Sequence, residues 1–148
     1  MFFSLFFLTC TGCNFDFEDG IYGWERTGTV FNNQPTYGDN PTARGIEQPS
    51  DHQGDWWIGG FENRPSKEAK AGGFQGDNPR GTLVSPRFRI IGKTISFLIS
   101  GGCNMTVIRA ELLVDNEVRS ESIASNLSRM PLKHREKIWV FNEQNGNV

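Results

Sequence analysis

Fifteen glycines and six prolines fall between Gly20 and Gly102. Glycine loses more backbone freedom than any other residue on entering a helix. Proline removes a donor and clashes with the preceding turn. An α-rich fold is thereby excluded, and the chain reads as an all-β domain with long loops. Its 148 residues suffice for one domain with a core and hardly for two. A net charge of −2 supplies no basic face for phosphates, which argues against a nucleic-acid binder. With 36% hydrophobic and 22% charged residues, the chain is neither membrane-embedded nor compositionally disordered.

Short β-type runs alternate with turn-rich stretches, without repeats or heptads. Phe15 and Phe17 alternate with Asp16 and Glu18, as in a strand with one buried face. Trp24 to Phe31 forms a second run, and Asn32 to Asp55 reads as one long loop rich in Pro, Gly, Asn and Asp. Asp55 to Phe61 reads as a short strand, Thr82 to Ser85 as another, and pairing resumes from Arg87 to Ile91 after Pro86. Thr94 to Ser100 (TISFLIS) is the most apolar run and predicts a central strand. In Thr106 to Val114 one face carries Ile108, Ala110, Leu112 and Val114, and the other Arg109 and Glu111. Asp115-Asn116 then turns the chain back through Glu117 to Ile123, a hairpin with a tight turn. Ile138 to Phe141 offers one more strand, and Asn142 to Val148 is a polar tail.

The N-terminus, Met1 to Leu8, is almost wholly apolar and is followed by small residues from Thr9 to Gly12. Eight residues are too few to span a bilayer, which takes roughly 20. Residues 1–12 read as a secretory-signal-like segment without the usual initial Lys or Arg; the alternative is a buried N-terminal strand. Cys10 and Cys13 form a C-x-x-C, but no helix follows to make a redox site, and four zinc ligands are lacking. Processing between them leaves Cys13 and Cys103, a number that suits one disulfide in an exported protein. The sequons at Asn104 and Asn126 fit the same compartment.

Motifs for catalysis fail on their surroundings. Gly92-Lys93-Thr94 resembles the end of a phosphate loop, but Arg87 stands where its leading glycine belongs, and no helix follows. His52 and His134 are isolated, with no motif-like Ser or Cys partner, and His52 reads as a solvated loop residue. Carboxylates are plentiful in the first 80 residues, yet nothing positions two as a glycosidase pair. The chain reads as a non-enzyme.

Four segments together carry a resemblance: Asn14 to Gly20 (NFDFEDG) with Gly23-Trp24; Gly54 to Asn63 (GDWWIGGFEN); Gly76-Asp77 with Gly81 to Phe88 (GTLVSPRF); and Ile95 to Gly102 (ISFLISGG) with Arg109 to Asp115 (RAELLVD). In order and spacing they resemble the β-jelly-roll modules attached to levanases and related fructan-cleaving enzymes, of the galactose-binding-like group. The opening is also similar to animal MAM adhesion domains. The resemblance spans about residues 13 to 123, and Cys13 and Cys103 look like additions of extracellular animal versions. It implies an antiparallel jelly-roll β-sandwich over 13–125. The closing strands such modules normally carry are missing, so 126–148 is expected to be poorly packed or truncated.

What the resemblance implies for function is a secreted or cell-surface, non-catalytic module binding a fructan-, galactan- or glucan-like glycan. The alternatives are a protein-binding adhesion module and a fragment of a larger glycoside hydrolase or receptor. Trp56 and Trp57 are adjacent on a strand and so face opposite ways; with Ile58 inward beside Trp56, Trp57 is expected to face out and stack on sugar. Glu62, Asn63, Arg109 and Glu111 supply the polar groups that sugar hydroxyls require. Asp16, Glu18 and Asp77 are candidate ligands for a structural calcium, which takes hard oxygen donors from loops.

Overall fold

The computed structural model describes residues 2–6, 15–89, 94–101, 106–122 and 135–140. In chain order the elements are β1 (Phe2–Phe6), β2 (Glu25–Arg26), β3 (Thr36–Tyr37), a single helical turn α1 (Asn40–Ala43), β4 (Trp56–Trp57) and β5 (Leu83–Val84), then β6 (Thr94–Ser100), β7 (Ala110–Val114), β8 (Glu117–Ser122) and β9 (Arg135–Val140). Four antiparallel sheets result: β1-β6-β9, β2-β5, β3-β4 and β7-β8. The fold is all-β. Among the described residues no helix is long and apolar enough to cross a membrane.

The most apolar run of the sequence is β6, with the bounds its pattern predicts, and it lies between β1 and β9. Its alternate residues Ile95, Phe97 and Ile99 are buried and pack against Ala110 and Leu112 of β7, with Phe88 and Val114 at the margin. The β7–β8 turn falls at Asp115 and Asn116, both at positive φ (52° and 65°), the conformation that matches the twist of a two-residue hairpin. Asn and Asp tolerate that region because their short side chains bond locally. A bulge after Leu112 displaces the register, so Leu113 faces Val118 while Leu112 faces Ser120.

A second apolar cluster lies under the turn-rich segment. Phe17, Phe31 and Ile58 form its centre, with Ile21, Trp24, Val30, Trp56 and Leu83 packed around them. Phe15 joins the two clusters: its ring meets Trp24 edge-on at 5.6 Å and Phe88 edge-on at 5.2 Å. Phe15 and Phe17 are both buried, as their alternation predicts, but the backbone there is not a strand, since Phe17 sits at φ 66°.

Other segments depart from the sequence reading as well: Trp24 to Phe31 and Asp55 to Phe61 hold only the two-residue strands β2 and β4, and residues 87–89 hold no strand. Asn32 to Asp55 is not one loop; it contains β3 and α1. Residues 2–6 pair with one edge of β6. Residues 135–140 pair with the other edge of β6, and the rest of 126–148 lies outside the described residues. The Arg135-Glu136-Lys137 start of β9 breaks the apolar alternation by which strands are recognised.

Because Phe97 is the largest side chain of the β6–β7 core, Phe97→Ala removes about 3–5 kcal/mol of stability. Urea denaturation checks this; a loss below about 1 kcal/mol would mean the β6–β7 cluster is not a cooperative core.

Candidate functional site

Two neighbouring two-residue strands set the geometry. Thr36 pairs with Trp57, and Tyr37 pairs with Trp56. Side chains alternate along a strand, so the first pair points inward and the second outward. Thr36 is fully buried and Trp57 is 1% exposed, its Nε1 donating to the Gly38 carbonyl at 2.8 Å. Tyr37 and Trp56 are only half-buried, and their rings lie 5.1 Å apart at 57°.

The outward pair is held by backbone bonds on each side. The Tyr37 amide donates to the Arg64 carbonyl at 2.9 Å, and the Gly38 amide to the Asp55 carbonyl at 2.8 Å. Glu18 Oε1 accepts from the amides of Asp55 (2.8 Å) and Trp56 (3.1 Å). Two cations lie over Tyr37, the Arg64 guanidinium at 5.0 Å from the ring centroid and Lys67 Nζ at 5.1 Å. Lys67 also reaches Asp55 across 3.6 Å.

Beneath this surface lies a buried polar network. Glu62 is 1% exposed, and its carboxylate accepts Arg44 Nη1 at 2.5 Å and Nη2 at 2.7 Å, and Asn40 Nδ2 at 2.6 Å. Asn40 Nδ2 also donates to the Gly73 carbonyl, and its Oδ1 accepts the Gly72 amide, both at 2.7 Å. Asn40 and Arg44 are one helical turn apart, which brings both side chains to one face of α1. Gln34 works similarly: Nε2 donates to the carbonyls of Gly59 and Glu62, and Oε1 accepts the Gly59 amide and the Thr36 hydroxyl. Gly59 is required here for space, since a Cβ would stand 2.3 Å from the Trp57 ring and 2.8 Å from the Glu62 side chain.

Another polar chain runs through Asp39, Ser50 and His52. Ser50 Oγ lies 2.6 Å from His52 Nδ1, while Asp39 accepts the Ser50 amide at 3.0 Å and the Thr42 hydroxyl at 2.5 Å. His52 is therefore half-buried and hydrogen-bonded rather than the solvated loop residue expected. The order of groups is wrong for a triad, in which the histidine stands between nucleophile and acid. Ser50 is moreover 1% exposed, beyond the reach of a substrate. Burial pulls the Asp39 carboxyl pKa up, but hydrogen bonds from Thr42 and Ser50 outweigh it and hold the group below its ordinary value.

The residues expected from sequence separate into different roles. Trp57 does not face out, and Ile58 is buried too; Trp56 is half-exposed, one side of it packed on the Phe17–Phe31–Ile58 cluster, because β4 ends at Trp57 and the alternation does not extend to Ile58. Glu62 is not a strand-end group facing solvent but the buried acceptor of Arg44 and Asn40. Asn63 is half-buried beside it and donates its amide to the Gly73 carbonyl. Arg109 and Glu111 form a partly exposed ion pair at β7, alternating along the chain with the buried Ala110 and Leu112 of the other apolar cluster.

Asp16 accepts the Glu18 amide, Glu18 is committed to the Asp55 and Trp56 amides, and the Asp77 carbonyl accepts from Arg80. Among the described residues no three His, Cys, Asp or Glu side chains come together to hold a metal. Cys13, Cys103, Asn104 and Asn126 lie outside the described residues. Sequence reasoning missed Tyr37, Arg64 and Lys67 because they lie in segments read as loop or left unassigned. For Asn40 and Arg44 the i, i+4 spacing behind a Pro at the helix start was the usable signal.

Comparison of the chain with protein-family models, curated proteins and solved structures returns no match.

Removing the Glu62 carboxylate strands Arg44 and Asn40 in the interior, so Glu62→Ala costs about 3 kcal/mol or more in chemical denaturation. A loss under about 1 kcal/mol would show the network to be incidental. Asp39 predicts a pH effect. A carboxyl with a lowered folded pKa contributes stability that is fully present above its unfolded value and lost as pH falls through the folded one. Thermal melts from about pH 4 downward should therefore show an acid destabilisation that is smaller in Asp39→Asn.

Proposed function

We propose that the protein is a non-catalytic, extracellular carbohydrate-binding module of jelly-roll type, with its sugar seated on Trp56 and Tyr37. The observation that carries this reading is the half-buried aromatic pair fixed opposite one another on β3 and β4, part of each ring accessible from outside. Aromatic faces stack on the C–H-rich faces of sugars, and the flanking Asp55, Arg64 and Lys67 add acceptors and donors for hydroxyls. The resemblance of GDWWIGGFEN and its companion segments to levanase-attached modules supports the same reading.

Binding in such a site is weak. Each neutral hydrogen bond to a hydroxyl replaces one to water and nets about 1 kcal/mol. Stacking on an indole adds about 0.5–1.5 kcal/mol. With few contacts, the dissociation constant falls in the millimolar to high-micromolar range, about −4 to −6 kcal/mol.

A protein-binding adhesion module is the second reading, favoured by one observation. Leu113 and Val118 face each other across the β7–β8 hairpin and are both 47% exposed, an apolar pair on an outward face.

Titration calorimetry against fructan, galactan and glucan oligosaccharides tests the proposal. Trp56→Ala should abolish measurable binding with folding intact, whereas Arg109→Ala should leave it unchanged. Binding that survives Trp56→Ala removes the proposed seat. No heat with any glycan, together with protein binding lost in Leu113→Asp, transfers the case to the adhesion reading.

A further inference from the structure

We infer that the glycan taken by the Trp56–Tyr37 site is acidic, its sulfate or uronate group being held by Arg64 with support from Lys67. This rests on the carbohydrate-binding reading and names the chemical class of its ligand. Arg64 is half-buried, and its Nε is enclosed without a hydrogen-bond partner. The ion pairs among the described residues are Arg44–Glu62, Lys67–Asp55, Arg109–Glu111 and Arg119–Glu117, so no described carboxylate neutralises this guanidinium. A partly desolvated cation without a counter-charge is an electrostatic deficit, which an anion arriving from outside relieves.

The surroundings sharpen the preference. Stacking on Tyr37 fixes the guanidinium at its ring face, and with Nε on the inside the Nη end of the fork is left to meet a ligand. That end presents parallel N–H donors, which match two oxygens of one sulfate or carboxylate, whereas a single hydroxyl answers only one. Lys67 brings a second positive charge over the same ring. Its link to Asp55 is 3.6 Å long between side chains that are both more than half exposed, so Asp55 yields it readily. Glu18, the other carboxylate beside Trp56, is occupied at Oε1 by two backbone amides. An anion on the aromatic pair therefore meets two cations, Arg64 without a described carboxylate partner, while Asp55 is loosely engaged and Glu18 is held against the backbone amides of Asp55 and Trp56.

The test uses the whole chain and three probes in calorimetry: a neutral galactan oligosaccharide, its sulfated derivative, and an oligogalacturonate. The expected result is roughly tenfold or tighter binding of at least one acidic probe over the neutral one, falling as salt is raised. Which acidic probe responds distinguishes sulfate from uronate. Arg64→Met should erase the preference and Lys67→Ala should reduce it. Arg64→Lys keeps a cation over Tyr37 but loses the fork, so it should weaken the acidic probe while sparing the neutral one. That variant also covers the case in which Arg64→Met fails to fold. Equal affinity for neutral and acidic probes overturns this inference and leaves the carbohydrate reading standing. A preference unchanged in both Arg64 variants places the charge recognition elsewhere and also overturns it. No binding of any probe removes the carbohydrate reading itself, and this inference with it.

Discussion

The buried carboxylate of Glu62 is the contact on which the turn-rich half of the molecule depends. Between Glu25 and Val84 the regular ladders are only two residues long, so few backbone groups are satisfied by sheet pairing. Side-chain amides, with the carboxylates of Asp39 and Glu18, take over that role, and Glu62 holds the side chains that do much of it. Glu62 gathers Asn40 and Arg44 from α1; Asn40 in turn caps the backbone at Gly72 and Gly73. Gln34 binds Gly59 and Glu62, and Gln75 donates to the carbonyls of Val30 and Gly60. A buried ion pair is not in itself strong stabilisation, because desolvation offsets much of the attraction. Its value here is in specifying one arrangement of loops that apolar packing alone leaves open.

That division of labour decides how much of the structure was legible in the sequence. Thr94 to Ser100 and the Asp115-Asn116 hairpin were readable because their alternation is long enough to define a face, and because the turn residues suit positive φ. Phe15 and Phe17 were readable as buried but not as a turn, since period two constrains which side chains go inward and not the dihedrals between them. The strands of two residues carry no period at all. Trp56 and Trp57 show the consequence: the parity of the pair depends on where the strand stops, and Ile58 is a misleading reference because it lies beyond the end of β4.

The candidate site was half legible for a related reason. The double Trp marked the strand on which the proposed site is built, and one of its two members is half-exposed. Tyr37 lies 19 residues before Trp56 and 27 before Arg64, and the three meet only in folded space, through the Tyr37–Trp56 pairing and the Trp57–Gly38 and Tyr37–Arg64 bonds. Glu62 carried the same ambiguity. A Glu near a run of Gly and Asn reads as solvated unless one sees that Arg44 and Asn40, on one face of a helical turn, converge on it from 18 and 22 residues away. Long-range polar pairing leaves no local periodicity to read.

Rigidity links the network to the proposed site. A shallow aromatic seat offers a ligand few contacts, so any free energy spent on ordering the rings is lost from binding. Tyr37 and Trp56 are ordered beforehand. Thr36 and Trp57, the inward partners on the same two strands, are fixed by Gln34 and by the Gly38 carbonyl. Gln34 reaches Glu62 through its backbone carbonyl, and Glu62 is in turn locked by Arg44. The glycine at 59 lets the Trp57 ring lie against the Glu62 side chain without a methyl between them. The outward face thus inherits its shape from an inward polar lattice, and the residues that fix the seat are not the residues that would touch a ligand. Glu62, expected from the sequence to meet a sugar, serves instead from beneath, in the network that holds the strands carrying the proposed seat.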